Sequence, residues 1–87
     1  MSITSKQHFV IEFINELNSY PYTASQEVVG ISIINNNSTT PMSVTLNTVP
    51  SVTIPIPAAG IYDDVMTPFT TINHSGGTDF DIALKKA

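Results

Sequence analysis

Two carboxylate clusters are the first residues in this chain whose types and spacing could do chemistry. One is Asp63 with Asp64, and the other is Asp79 with Asp81. A calcium ion takes about six to eight oxygen ligands, usually from several carboxylates at fixed loop spacing, and neither cluster supplies so many. Strand alternation also places Asp79 and Asp81 on the side opposite Phe80. The pattern therefore predicts solvated surface acids rather than a metal site.

The chain contains two histidines, His8 and His74, and no cysteine. His74 directly precedes Ser75, which suggests a serine nucleophile with a histidine base. Neighbouring residues of a strand point to opposite sides, however, and a triad needs a third group and an oxyanion hole. A zinc site would need carboxylates in addition to the two histidines. We therefore expect no catalytic, cofactor-binding or metal-binding residues, and no cofactor.

Three tyrosines, Tyr20, Tyr22 and Tyr62, could stack on sugar rings. Together with the Asn35–Thr40 loop they are the candidate glycan contact of one possible function, a carbohydrate- or receptor-binding module. A packed loop is the more common role of a Tyr-Pro-Tyr segment, because tyrosine usually lies in cores and interfaces.

Charged residues are scarce and unevenly distributed. They make up 11% of the chain, against about 25% in ordinary domains. None occurs in the 35 residues from Val28 to Tyr62, where Ser, Thr and Asn supply the polarity. Such strands are either covered by neighbouring chains or form a hydroxyl-rich outer face, and both alternatives fit an assembly component better than a freely diffusing enzyme.

The composition also argues against two classes of partner. With a net charge of −4 and three lysines, the chain lacks the cationic track that nucleic-acid phosphates require. No apolar run reaches the roughly 20 residues that span a bilayer. The apolar stretch near the N-terminus is interrupted by Glu12, so we do not expect a signal peptide.

A length of 87 residues predicts one domain with a small core. Disulfides are excluded, so oligomerisation is the support that remains for so small a core. We expect a mainly β protein: an antiparallel β-sandwich or jelly-roll-like domain over residues 21–87, preceded by a helix or arm over residues 1–20.

Residues 5–19 fit a helix that begins with Thr4 as N-cap and Gln7 reaching back to it. Its apolar stripe consists of Phe9, Val10, Phe13, Ile14 and Leu17. An extra strand is the alternative, because Phe9, Ile11 and Phe13 would then share one face.

The segments 27–35, 42–49 and 51–57 read as strands. In the second, Met42, Val44 and Leu46 point inward. In the third, Pro55 and Pro57 remove two backbone donors from one side only, because N–H groups point to the same side at every second residue. We therefore expect an edge strand whose open side cannot be extended by another strand.

The segment 69–84 predicts a hairpin that closes through Ser75, Gly76 and Gly77. This loop length places Ile72 opposite Phe80 and keeps the apolar residues on one face.

Residues 42–84 resemble the small β-sandwich modules of bacteriophage virions, such as capsid decoration, minor capsid and fibre-base proteins. The resemblance lies in uncharged Ser/Thr/Asn-rich strands, a proline- and glycine-bearing connection after an apolar strand, and the closing Gly-Gly turn. It implies a non-enzymatic structural virion protein, made in the host cytoplasm, that forms homo-oligomers and contacts other virion proteins. A host-surface glycan is a further possible partner. The interface candidates are Phe9, Ile11, Phe13, Ile14, Leu17, Pro55 and Pro57.

Overall fold

Strands account for most of the chain. The structure, a computed structural model, describes residues 10–86, apart from the side chains of residues 66 and 67. Within this range it contains no helix. The six strands are β1 (Val10–Asn15), β2 (Tyr22–Asn35), β3 (Met42–Leu46), β4 (Val52–Ile56), β5 (Ile61–Ser75) and β6 (Phe80–Lys86).

The strands form one antiparallel sheet in the order β1-β6-β2-β5-β3-β4. The two longest strands, β2 and β5, lie at its centre and pair at both of their ends. Tyr22 faces Ile72 at one end of this pair, and Ile34 faces Ile61 at the other. Strand β6 continues the sheet beside the second half of β2, and β3 continues it beside the second half of β5.

The central pair is irregular in its middle. Val28 faces Lys86 of β6, whereas Gly30, two residues later, faces Lys85. One extra residue on β2 therefore forms a β-bulge, which bends a strand and increases its twist. The buried positions change accordingly, from the even-numbered Val28 to the odd-numbered Ile31 and Ile33.

The bent sheet encloses a single hydrophobic core to which all six strands contribute. The buried members are Ile14, Ala24, Val28, Ile31, Ile33, Met42, Val44, Leu46, Ile54, Ile56, Phe69, Ile72, Phe80, Ile82 and Leu84. Residues from strands that do not pair with each other meet there. The ring of His74, on β5, lies 4.8 Å from that of Phe80, on β6. The strands on either side of the central pair thus share one core.

The helix predicted over residues 5–19 is wrong where it can be compared, because Val10–Asn15 is a strand. The alternative, an extra strand, is what the structure contains. Strand β6 supplies backbone partners along this whole segment, and only Ile14 reaches the core. A helix would forfeit that pairing, and short isolated helices are marginal in water. The predicted cap at Thr4 and Gln7 lies outside the described residues.

The predicted hairpin over residues 69–84 is also wrong. Strands β5 and β6 are not neighbours, because β2 lies between them. Phe80 faces Asn35 rather than Ile72. The Gly-Gly segment is a crossover that carries the chain from one side of β2 to the other, and Gly76 does adopt a positive φ of 88°. An apolar match between two strands does not decide whether they pair, since each also fits other strands of the same core.

Two other predictions are confirmed. Met42, Val44 and Leu46 alternate inward on β3. Among the described residues, strand β4 is an edge strand that pairs only with β3, with Pro55 exposed and Pro57 directly after the strand end. The edge of the sheet beyond β4 therefore lacks the backbone donors that these prolines remove.

Candidate interaction surfaces

The acidic residues Asp63 and Asp64 are engaged with neighbouring side chains. Asp63 accepts a hydrogen bond from Lys85 over 3.2 Å. Its pKa is lowered, first by a hydrogen bond from Ser32 and then by Lys85. Asp64 accepts a hydrogen bond from the Tyr62 hydroxyl over 3.1 Å. These contacts stabilise the two carboxylates as surface anions.

The second acidic pair, Asp79 and Asp81, accepts hydrogen bonds from the side-chain amide of one residue, Asn36. Asn36 donates from Nδ2 to Asp81 over 3.0 Å and to Asp79 over 3.3 Å. Both acids are exposed, on the side of β6 away from Phe80, as the alternation predicts. Among residues 10–86, no group of three or more histidines and acids is arranged to hold a metal ion.

His74 and Ser75 do not face each other. His74 lies opposite Val44, which is buried, and Ser75 lies opposite Ser43 on the outer side. The His74 ring packs edge-on against Tyr20, with ring centroids 4.4 Å apart. The histidine therefore belongs to an aromatic cluster at the end of the core.

The three tyrosines proposed to contact a glycan are all half-buried and pack against the core. Tyr20 donates its hydroxyl proton to the carbonyl oxygen of Asn15 over 2.7 Å. Burial, followed by the charge of Glu16, raises the pKa of Tyr20 to about 12. Burial also raises the pKa of Tyr62, with Asp64 adding to the effect. Tyr20 and Tyr62 therefore make contacts within the fold, and these contacts limit how far their rings can stack on a ligand.

The Asn35–Thr40 loop is a structural connection. Asn35 is buried, and its Nδ2 donates to the carbonyl oxygens of Thr40 and Pro57. Its Oδ1 accepts from the backbone N–H of Asn37. The backbone N–H of Ala59 donates to the carbonyl oxygen of Asn37 over 2.8 Å. The loop therefore fastens the end of β2 to the turn that follows β4. The alternation of Ile31 and Ile33 places Asn35 on the inner side of β2, which is the sequence signal that could have identified it as buried.

Five exposed large hydrophobic residues lie on the outer side of β1, β2 and β5, among polar and charged residues of the same strands and of β6. Directly opposed residues in these antiparallel strands point to the same side. Three rows cross the four strands: Ile11, Lys85, Gly30 and Val65; Phe13, Ala83, Ser32 and Asp63; Asn15, Asp81, Ile34 and Ile61. We call this surface the apolar face, after its five exposed large hydrophobic residues Ile11, Phe13, Ile34, Ile61 and Val65.

Only two of these five residues were among the interface candidates. Phe13 is 76% exposed and Val65 is 81% exposed. The sequence did not predict Ile34, Ile61 and Val65 as interface residues, because it does not show which strands pair with each other. One signal was available for Ile34, which follows the buried Ile33 and so places an apolar residue on the outer side of the strand.

The remaining interface candidates are spread over the molecule. Leu17 is exposed just after β1, whereas Ile14 is buried in the core. Pro55 and Pro57 are exposed at the opposite edge of the sheet. Phe9 lies outside the described residues. The structure thus groups Ile11, Phe13 and Leu17 near one edge and the two prolines at the other.

The outer side of β3, of β4 and of the adjoining ends of β2 and β5 carries a group of polar, uncharged residues. Thr45 lies opposite Thr53, with their hydroxyl oxygens 3.1 Å apart. Thr23 lies opposite Thr71, with a corresponding distance of 3.4 Å. We call this surface the hydroxyl face; its members are Thr23, Ser43, Thr45, Thr53, Thr71, Asn73 and Ser75. Three of these residues, Ser43, Thr45 and Thr53, belong to the long uncharged stretch, for which a hydroxyl-rich outer face is one of the two alternatives.

No pocket is found on the part of the chain that the structure describes. Between residues 10 and 86 there is also no helix that could cross a lipid bilayer. Comparison with protein-family models, curated proteins and solved structures finds no match for this chain.

Proposed function

We propose that this chain is a non-enzymatic structural subunit of a virus particle, of the bacteriophage kind, that docks onto neighbouring capsid or fibre subunits. The observation that carries the proposal is the apolar face, which exposes five large hydrophobic side chains on β1, β2 and β5. Exposed apolar patches of this kind mark interaction surfaces. Covering the face with a neighbouring chain would remove its hydrophobic area from water and stabilise an assembly.

The charges on the apolar face suit burial in an interface. Lys85 and Asp63, in adjacent rows, form an ion pair, and Asp81 is hydrogen-bonded to Asn36. Lys85 and Asp63 offset each other's charge, so covering them would leave no isolated charge, whereas Asp81 has a neutral amide as its partner and would need a cation of the neighbouring chain or a place at the wet rim of the interface. A buried unpaired charge is what makes an interface costly. The apolar face therefore fits a partner surface that is uncharged or that carries charges of both signs.

A small β-sandwich is the architecture that we propose for this subunit. The sheet would fold over at the bulge near Val28, so that strands β1 and β6 lie across the core from β3 and β4. The aromatic contact between His74 and Phe80 supports this arrangement. So does Asn35, which reaches from β2 to the carbonyl oxygen of Pro57 beyond β4. Such a module presents two outer faces, and here their chemistry differs.

The proposal is tested by the mass of the chain in solution, measured by light scattering at several concentrations, and by its presence in purified virus particles. We expect an oligomer that dissociates when Ile61 and Val65 are both changed to Ser. Val49→Ser is the matched control, because Val49 is almost fully exposed and lies in the β3–β4 connection. A monomer at every concentration, with no affinity for particles, would overturn the proposal.

A carbohydrate- or receptor-binding module is a second candidate, and the hydroxyl face is the observation that favours it. Its aligned hydroxyl and amide groups could exchange hydrogen bonds with a glycan. The test is a glycan array probed with the wild type and with Thr45→Val and Asn73→Ala variants. Binding that these variants abolish, and that Val49→Ser does not, would support this second function. An array without binding would count against it.

A further inference from the structure

Of the strands that the structure describes, β1 lies at one edge of the sheet. It pairs with β6 on one side, and none of the described residues pairs with it on the other. An edge strand presents a row of backbone N–H and C=O groups that can accept another strand. Strand β1 contains no proline, and Val10, Ile11 and Phe13 on it are exposed. The protection that Pro55 and Pro57 give to the β4 edge is missing here.

We propose that this edge pairs with strand β1 of a second copy of the chain, antiparallel, about a two-fold axis at Phe13. The inference rests on the proposed function, since it names one contact through which the subunit would assemble. The product is a dimer with a continuous sheet of strands from both copies. The apolar faces of the two copies then join into one surface, with Ile11 and Phe13 of each copy at its centre.

The difference between the β1 edge and the β4 edge indicates which strand of another copy can pair with β1. Head-to-tail growth would require β1 of one copy to pair with β4 of the next, and such contacts lead to open filaments. The outer edge of β4 lacks the N–H groups of Pro55 and Pro57, so it cannot complete that ladder. Among copies of this chain, β1 is left with β1 as its partner. Self-pairing of one strand gives an isologous contact that stops at two copies.

The charges on β1 permit this pairing despite the net negative charge of the chain. Glu12 is the only charged residue of the strand. It forms an ion pair of 3.0 Å with Lys86, and Lys86 also donates to the hydroxyl of Ser25. The pair is largely buried on the core side of the sheet. Two β1 strands can therefore approach without an exposed negative charge on either one.

The side-chain pattern selects the register. A two-fold axis perpendicular to an antiparallel pair places one residue opposite its own copy. At Glu12, the axis would oppose two like charges, which destabilises a pair. At Phe13, the axis opposes two aromatic rings on the apolar face, and it places Ile11 opposite Asn15 and Glu12 opposite Ile14. Aromatic cross-strand pairs are favourable, and this register pairs residues 11–15 of the two strands.

The test uses the absence of native cysteine. In the proposed dimer, directly opposed Cβ atoms would lie about 4.5–5.5 Å apart, close to disulfide geometry. We expect the Phe13→Cys variant to form a disulfide-linked dimer on the order of tenfold faster than the controls, because pairing raises the local thiol concentration. The controls are Val65→Cys, on the same face but on β5, and Val49→Cys, in the β3–β4 connection.

A second measurement does not depend on a disulfide. Hydrogen exchange should show protected β1 amides in the wild type. In the Phe13→Asp variant, both this protection and the molar mass measured in solution should fall. If the wild type is oligomeric but Phe13→Cys oxidises no faster than the controls, the β1 contact is wrong and the proposed function stands on the apolar face. If the wild type is a monomer at every concentration, both fail. Protected β1 amides in such a monomer would mean that the chain covers its own edge.

Discussion

Asn35, the last residue of β2, donates a hydrogen bond from Nδ2 over 3.1 Å to the carbonyl oxygen of Pro57, which follows β4. The same nitrogen donates to the carbonyl oxygen of Thr40 over 2.9 Å. Asn35 is only 1% exposed. One buried amide thus joins the end of β2, the β2–β3 loop and the turn after β4. Such groups matter most when they are removed, because their partners then stay buried without hydrogen bonds.

We therefore expect Asn35→Ala to lower the free energy of unfolding by about 2–4 kcal/mol, since each unsatisfied buried group costs about 1–3 kcal/mol. Asn36→Ala is the matched control. Asn36 is exposed and bonds to surface carboxylates, so its loss should cost less than about 1 kcal/mol. Urea unfolding with an unchanged m-value measures the difference. Equal effects of the two changes would contradict the role assigned to Asn35.

Alternation within single strands was predictable from the sequence, but pairing between strands was not. The inward positions of β3 follow directly from period-two spacing, and β4 as a protected edge follows from Pro55 and Pro57. Neither pattern states which strand lies next to which. Phe80 and Ile72 both fit the core, yet Phe80 pairs beside Asn35 of β2. The sequence around Gly76 shows that the chain turns there, and it does not show where the next strand goes.

The first strand illustrates a second limit. Val10–Asn15 carries both a helical stripe and a strand-like alternation, and tertiary pairing with β6 decides between them. The apolar face depends on the same information, because Ile34, Ile61 and Val65 form one surface only after β2 and β5 are aligned. An interaction surface made from several strands therefore cannot be predicted from the sequence until the pairing of those strands is known.

Breaking the ion pair between Lys86 and Glu12 should lower the free energy of unfolding, whereas replacing both residues with apolar ones should change it little. The Lys86 side chain is 9% exposed, so Glu12→Gln leaves a nearly buried charge without its partner. We expect a loss of about 2–3 kcal/mol, below the range of about 3–5 kcal/mol for fully buried pairs because Glu12 is partly exposed. The double variant Glu12→Leu with Lys86→Met should recover most of this loss.

Chemical denaturation of the single and double variants tests this expectation. The matched control is Asp63→Asn, which breaks the ion pair with Lys85 on the apolar face. That pair is exposed, and exposed pairs contribute about 0–1 kcal/mol. A double variant less stable than Glu12→Gln would show that the two groups have other essential contacts.

Tyr20 makes stability sensitive to alkaline pH. Its pKa is raised to about 12 in the folded chain, from the ordinary tyrosine value of 10.0. The folded state therefore holds the phenol proton more tightly than the unfolded state. This contribution to stability is fully present below pH 10 and is lost as the pH rises through about 12.

Titration of the tyrosinate absorbance should show a late step that Tyr20→Phe removes. In Glu16→Gln this step should move to lower pH, because the charge of Glu16 contributes to the raised pKa. A titration of Glu16→Gln that matches the wild type would leave burial as the whole cause. If Tyr20→Phe retained the late step, the assignment to Tyr20 would be wrong.

Pro55 and Pro57 should control the size of the assembly. Changing both to Thr restores two N–H groups to the open side of β4, so that β1 of another copy can pair with it. We expect species larger than a dimer that grow with concentration, since a head-to-tail contact does not close. The control is Pro41→Thr, which removes an exposed proline just before the interior strand β3. Sedimentation velocity at increasing concentration distinguishes the variants. A double variant with the same size distribution as the wild type would show that the prolines do not protect this edge.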